Sequence, residues 1–344
     1  MMIRKHAIVL VAATALAVAG TVPVAAQDAS SSPAAAGGEA VSIALVRQLA
    51  EGDYFQLWES GAQQQAAELG IDLTVYNASG DNARQALDIE AAANTSPDAI
   101  IIDHGFAETV APAAIEALDA GIPVVAFDVN LGDERAVQLE QSDADIAGLA
   151  LDQLVADTGG EGEVVYVYVA GFAPLDRRDA VWQEVKGANP GLVEVARIGA
   201  VNDSTASTVA DQAKAALQAN PDVKAIFAPY DEFAKGATLA VEELDLQDQV
   251  KVYGADISTA DIGVMTAERS PWVATVAADP TNVGAVAVRA AYLKVLGEEV
   301  PTPVIVPVAL ITQAQLLEGG VQNMEQLSAA VPELQTPDLL PVTP

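Results

Sequence analysis

Gly121-Ile122-Pro123-Val124-Val125-Ala126-Phe127-Asp128 is a short apolar run that starts at a turn and stops on an acid. Upstream, Ser96-Pro97-Asp98-Ala99-Ile100-Ile101-Ile102-Asp103 has the same form. Continuous apolar runs of this length, without alternation, describe strands buried on both faces. Between the two, residues 109–120 have helical spacing. Working outward, strands are predicted over 41–46, 71–76, 99–102 and 122–127, with helices over 54–69, 82–94 and 109–120. The order recurs downstream. Strands are predicted over 164–169, 192–198, 223–227, 250–253 and 304–308. Helices are predicted over 179–187, 205–219, 232–244, 262–268 and 281–296. Alternating strands and helices make an α/β protein with parallel sheets covered on both faces.

The recurrence extends to residues. Asn220-Pro221-Asp222-Val223-Lys224-Ala225-Ile226-Phe227, with Asp231 soon after, repeats the form of 96–103, and 249–256 repeats that of 121–128. The interval from Asp103 to Asp128 equals that from Asp231 to Asp256. Two related halves are expected.

Composition sets the frame. The chain has 344 residues, 51% hydrophobic and 5% aromatic, sufficient for two lobes with close-packed small-residue cores. Arg4, Lys5 and His6 precede an apolar run over 7–19, and Val24-Ala25-Ala26 offers small residues. Residues 1–26 are therefore expected to be a secretory signal peptide rather than a membrane anchor, for which the run is short. Ser, Ala and Gly dominate 27–40, a flexible linker by composition. The chain has no cysteine, which excludes disulfides, zinc–thiolate centres, a cysteine nucleophile and a lipid-modified cysteine. The exported protein is expected to be soluble in the periplasm or outside the cell. A formal net charge of -32 repels a phosphate backbone and argues against a nucleic-acid partner.

Ligands of open α/β sheets bind beyond the carboxyl ends of the strands. Asp103, Asp128 and Asp256 fall just past predicted strands, and Asp231 follows Tyr230 at another. A lone Asp there serves as readily as a helix N-cap; four at matching places favour a cleft. Carboxylates accept from sugar hydroxyls and arginine donates to them. Arg178 is the expected donor and Arg177 the solvent-facing neighbour. Asp53-Tyr54-Phe55 follows the first strand, and one of the two rings is expected to meet a sugar face while the other staples the helix. Trp58 and Trp182 read as core anchors. His104 is expected to bond either ligand or loop backbone. No phosphate-binding glycine motif, nucleophile elbow or metal-ligand spacing is present, so no cofactor, no metal and no catalysis are expected.

In this order and spacing, several segments resemble the ribose- and galactose-type periplasmic binding proteins of bacterial ABC importers. They are Asp53-Tyr54-Phe55 with Gly61-Ala62, Gly121 to Asp128, Ser142-Asp143, Ala225 to Glu232, Tyr253-Gly254-Ala255-Asp256 and Ala274 to Pro280. The resemblance runs from about residue 41 to 308. It implies two Rossmann-like lobes joined by a three-segment hinge, the type I arrangement, that closes on ligand. The crossings would lie near 142–143, 277–279 and 306–310. The lobes would be 41–142 plus 279–307 and 143–278 plus 308–320, leaving 321–344 as a Pro-rich tail, either loose or draped on the surface. The family pattern implies that Phe55 stacks on the sugar and that Asp128, Arg178 and Asp256 bind hydroxyls. Asp103 and Tyr230 stand where the family commonly has Asn, and Val129 where ribose binders carry Arg. Ala278 replaces a polar side chain and Ala255 an aromatic one. These departures imply a more acidic, partly roomier pocket, for a hexose, a polyol or an amino-substituted sugar.

The resemblance also implies its partners: a small carbohydrate or polyol and the membrane subunits of an ABC importer, met as a monomer. A receptor presenting its closed form to a membrane sensor is the alternative within the same fold. A sugar-responsive repressor would need a DNA-binding helix pair, and a glycosidase a paired acid and base.

Overall fold

In the computed structural model, which describes residues 40–342, the apolar runs form strands and the amphipathic segments cover them. The signal-peptide expectation, and the linker up to residue 39, lie outside the described residues. The first half runs β1 (Ser42–Arg47), α1 (Asp53–Leu69), β2 (Asp72–Asn77), α2 (Asn82–Asn94), β3 (Ala99–Asp103), α3 (Ala107–Asp119), β4 (Val124–Phe127) and β5 (Val137–Gln141). The second half runs α4 (Asp143–Thr158), β6 (Glu161–Val167), α5 (Ala173–Ala188), β7 (Gly191–Ile198), α6 (Thr205–Ala219), β8 (Val223–Ala228), α7 (Asp231–Glu243), β9 (Lys251–Ala255), α8 (Thr259–Met265) and β10 (Trp272–Ala277). Then follow α9 (Pro280–Val295), β11 (Val304–Val306), β12 (Ala309–Thr312), α10 (Gln313–Gly319) and α11 (Met324–Ala330).

Two six-stranded sheets result, ordered β11-β5-β4-β3-β1-β2 and β12-β10-β9-β8-β6-β7. Every pairing is parallel except β12 against β10. The orders match strand for strand, so β3 and β4 in one sheet occupy the places of β8 and β9 in the other. The chain passes between the sheets after β5, after β10 and between β11 and β12.

The central strands of each sheet are buried on both faces, which is why they read as unbroken apolar runs. In the first lobe Ile43, Leu45, Ile101 and Val125 meet α1 and α9, while Val46, Ile100, Ile102 and Ala126 meet α2 and α3. The second lobe repeats this, with Val165, Ile226 and Val252 on one face and Val164, Phe227 and Tyr253 on the other. Trp58 and Trp182 are fully buried. The α1–α9 crossing is close enough to need glycine on both helices. A Cβ on Gly61 would sit 1.9 Å from the Thr281 carbonyl oxygen, and one on Gly284 2.0 Å from that of Trp58.

Four sequence expectations need correction. The strand β5 was not expected, because Val-Gln-Leu-Glu-Gln alternates and only its odd positions are buried. The strand expected over 304–308 is two: Pro307 lies at the break, with β11 in the first sheet and β12 in the second. Helix α5 starts earlier than expected, with Pro174 in its first turn. The tail is not loose. A capping box of Thr312 and Gln315 opens α10, and α11 follows. Leu327 and Leu334 are each 1% exposed in the second lobe's core, and Leu339 and Leu340 then pack on the first lobe's core.

Candidate functional site

Between the carboxyl ends of the two sheets lies a narrow crevice, with a cavity volume of about 50 Å³. Leu49, Phe55, Phe172, Pro174, Leu175 and Val201 give it a largely carbon wall, and Tyr54, His104, Gln141, Arg178, Tyr230 and Asp256 supply its polar groups. Both lobes contribute.

The first lobe presents its aromatics from the opening turn of α1. Gly52, with φ 93°, turns the chain out of β1 so that Tyr54 and Phe55 point inward. Their rings meet edge to face at 5.4 Å, and Phe55 stands edge-on to His104 at 5.2 Å and to Tyr230 of the second lobe at 6.4 Å. Both Tyr54 and Phe55 line the crevice, so neither is only a staple. Burial and the nearby carboxylates of Asp256, Asp128 and Asp103 hold the Tyr54 phenol well above its usual pKa, so it stays protonated. Its hydroxyl has no protein partner.

At the strand ends, His104, Asp128 and Asp256 adopt left-handed backbone angles, φ 59°, 53° and 67°. The pattern is shared by the lobes. Asp128 N–H donates to the Leu139 carbonyl on β5, and Asp256 N–H to that of Val276 on β10, the equivalent strand.

The acids differ in their partners. Asp103 is fully buried away from the crevice wall; one oxygen accepts from Arg47 Nε at 2.7 Å and the other lies 2.6 Å from His104 Nδ1. Burial works to raise its pKa, but Arg47 and His104 outweigh burial and hold it below the usual carboxylate range. Arg47 also donates to Glu59 and to the Phe55 carbonyl, locking the aromatic turn to β3. For His104 burial acts downward, yet the bond to Asp103 and the charges of Asp128 and Asp256 raise its pKa. Asp128 lies behind His104, whose Nε2 is 3.7 Å from Oδ2, and is not on the wall either. Its Oδ1 accepts from Arg177 at 2.9 Å. Burial and the Asp143 charge push it up to about 7.

In the second lobe, Asp143 at the start of α4 anchors both arginines, accepting from Arg178 Nε at 2.6 Å and Arg177 Nε at 2.7 Å. Arg178 is 3% exposed, donates to the Pro229 carbonyl and stands 3.8 Å from Asp256 Oδ2. The Asp256 carboxyl is raised by burial. Arg177, expected to face solvent, instead ties Asp128 and Glu140 of the first lobe to α5.

Six of the nine residues singled out in the sequence therefore line the crevice: Tyr54, Phe55, His104, Arg178, Tyr230 and Asp256. Asp103 and Asp128 lie behind it, and Asp53 sits at the rim bonded to Lys235. The residues not foreseen are Gln141, Leu49, Phe172, Pro174, Leu175 and Val201. Gln141 had a readable signal, its place just before the first crossing; the apolar five have none that separates them from core. Four buried acceptors or hydroxyls in this region have no protein partner: Tyr54 Oη, Asp128 Oδ2, Gln141 Oε1 and Asp256 Oδ1. Buried polar atoms are rarely left so, and those on the wall suit the hydroxyls of a ligand. Among the described residues no group of acids, histidines or cysteines is arranged to hold a metal ion.

Comparison with known proteins agrees with this fold. Residues 43–299 match the family described as periplasmic binding protein domain. The ribose import binding protein of Escherichia coli is 27% identical over 274 residues, 79% of this chain and 90% of that one. A crystal structure of a 5-methylthioribose transporter solute binding protein from Thermotoga lettingae, in complex with 5-methylthioribose, is 45% identical. It superposes with a TM-score of 0.85 over 87% of this chain and 95% of that one. A sugar ABC transporter structure from Yersinia enterocolitica is 30% identical, with a TM-score of 0.84 over 88% and 92%.

Proposed function

This chain belongs to the periplasmic binding protein domain family, and from that premise we propose that it captures a small sugar between its lobes and delivers it to an ABC importer. The ligand class we propose is a pentose carrying an apolar substituent, with 5-methylthioribose, the compound held by the Thermotoga lettingae relative, as its type. The observation that carries this reading is the two-sided chemistry of the crevice. Arg178, Asp256, Gln141 and Tyr54 offer a donor and unpaired acceptors for hydroxyls, while Leu49, Phe172, Pro174, Leu175 and Val201 offer only carbon. A ribose hydroxyl set against that carbon wall would lose its hydrogen bonds to water without replacement; a methylthio group loses nothing there and gains contact.

The sequence suggested a more acidic, partly roomier pocket for a hexose, a polyol or an amino-substituted sugar, the last on its excess of carboxylates. The structure supports a different emphasis. Asp103 and Asp143 are matched by Arg47 and Arg178, Asp128 faces Arg177, and Asp256 is the one carboxylate on the wall. Asp256 is therefore the carboxylate an ammonium group would meet directly, and Arg178 already stands 3.8 Å from it.

Isothermal titration with 5-methylthioribose, ribose, xylitol and allose tests the proposal. Burying the methylthio group is worth about 1–2 kcal/mol, so 5-methylthioribose is expected to bind about tenfold or more tighter than ribose. Tighter binding of ribose or a polyol rejects the apolar substituent and leaves sugar capture standing. Silence across the whole panel rejects sugar capture.

A further inference from the structure

We propose that Lys235 is a positioning residue that latches the lobes shut, contributing affinity without touching the ligand; the inference rests on the capture reading above. Lys235 stands on α7 in the second lobe, where Glu232 Oε1 at 2.7 Å, Asp261 Oδ1 at 3.2 Å and Asp231 Oδ2 at 3.5 Å surround its ammonium. From there it reaches across the cleft to Asp53 Oδ2, 2.7 Å away on α1 of the first lobe. Around that bond the rims are closely apposed. A Cβ on Gly52 would lie 3.6 Å from the Tyr230 hydroxyl and 3.7 Å from Glu232, and Leu57 of α1 packs against the second lobe's core.

The two ends of the bond are unequal, and that makes it a latch rather than a pin. Asp231 and Asp261 are fully buried, so Lys235 is held in place whether or not Asp53 is present. Asp53 is 41% exposed on its side chain, and Lys235 is its one hydrogen-bond partner among the described residues. When the cleft opens this bond breaks and Asp53 returns to water, while the bonds of Lys235 within its own lobe stay in place. Asp53 also immediately precedes Tyr54 and Phe55, so the bond draws the turn that carries both rings toward the second lobe. Elsewhere the lobes meet by different chemistry, Phe106 against Phe172 at 4.7 Å and Arg177 against Asp128. An interaction present only when the lobes are closed slows ligand escape and leaves encounter with the open form unchanged. With one end exposed, it is also screened by salt.

The test uses the full chain and substitutes Asp53, because removing Lys235 would strand two buried carboxylates. Stopped-flow dissociation of the best-binding sugar is measured for wild type, Asp53→Asn, Asp53→Glu and Asp53→Lys, at low salt and at about 0.5 M salt. Asp53→Asn is expected to dissociate about twofold to fivefold faster, with association no slower and melting temperature unchanged, and to show a weaker salt response than wild type. Asp53→Glu keeps the latch; Asp53→Lys dissociates faster still. Small-angle scattering of the ligand-free chains is read alongside and needs no knowledge of the sugar: Asp53→Lys is expected to have a larger radius of gyration than wild type. Wild-type dissociation and salt response in Asp53→Asn overturn the latch, as does a loss confined to association or an equal radius in Asp53→Lys. Should no sugar bind wild type, the capture reading falls and the scattering alone decides the latch.

Discussion

Asp103, Asp128 and Asp256 stand at the ends of neighbouring or equivalent strands, yet their surroundings give them different protonation behaviour. Asp103 lies against Arg47 and stays ionised. Asp128 is pushed up to about 7 and Asp256 is raised, in both cases chiefly by burial. A carboxyl with a raised folded pKa takes up a proton on folding. Its stabilising contribution is complete below about pH 4, its unfolded pKa, and is lost as pH rises through the folded value. His104, also raised, acts in the same direction at higher pH. Acids with lowered values, such as Asp103 and Glu194, change the balance only below the ordinary carboxylate range. The ligand-free protein is therefore expected to melt at a lower temperature at about pH 7.5 than at about pH 5, and Asp128→Asn is expected to shrink the difference. A melting temperature that climbs over that interval would show that burial does not govern these groups. At this scale the sequence disclosed residue types but not pairings. Asp103 and Arg47 are 56 residues apart and meet only because β1 and β3 are neighbours. Without that pairing, a buried and neutralised acid reads like one facing ligand.

Elements were more legible than partners, for a reason visible in particular segments. Ile100-Ile101-Ile102 and Val124-Val125-Ala126-Phe127 are buried on both faces, and burial on both faces leaves an unbroken apolar signature. Strand β5 shows only three fully buried residues in five, and the break between β11 and β12 depends on which sheet each joins, a property no local pattern carries. The closest helix contact hides in two glycines that read as ordinary small residues. Gly284→Ala would bring a methyl group to 2.0 Å from the Trp58 carbonyl oxygen, so α1 and α9 must part. Overpacking of this kind costs about 1–3 kcal/mol. Urea denaturation of Gly284→Ala is expected to show that loss, where a helical Gly→Ala change free of contact would stabilise by up to about 1 kcal/mol. A stabilised variant would mean the helices are further apart than described.

The whole molecule is two sheets of matching order connected three times, with the C-terminal segment as a further non-covalent link. That segment seats Leu327 and Leu334 in the second lobe, bonds Asp279 at a crossing through Ser328, and brings Thr336 to Arg289 of α9. Ending the chain at Gly320 strips two leucines from a core and is expected to cost about 3 kcal/mol or more. Calorimetry reads this as a lower melting temperature; an unchanged one would show that the segment adds no stability. The crossings also fix an order of events at the ribosome. Helix α9 supplies Val283, Val286, Ala287 and Ala290 to the first lobe, and β11 completes its sheet at the β5 edge. Synthesis ordinarily lets the leading domain of a chain fold first. Here the leading lobe lacks its last helix and edge strand until residue 306 has been made, so a nascent chain halted anywhere before that point holds an unfinished core.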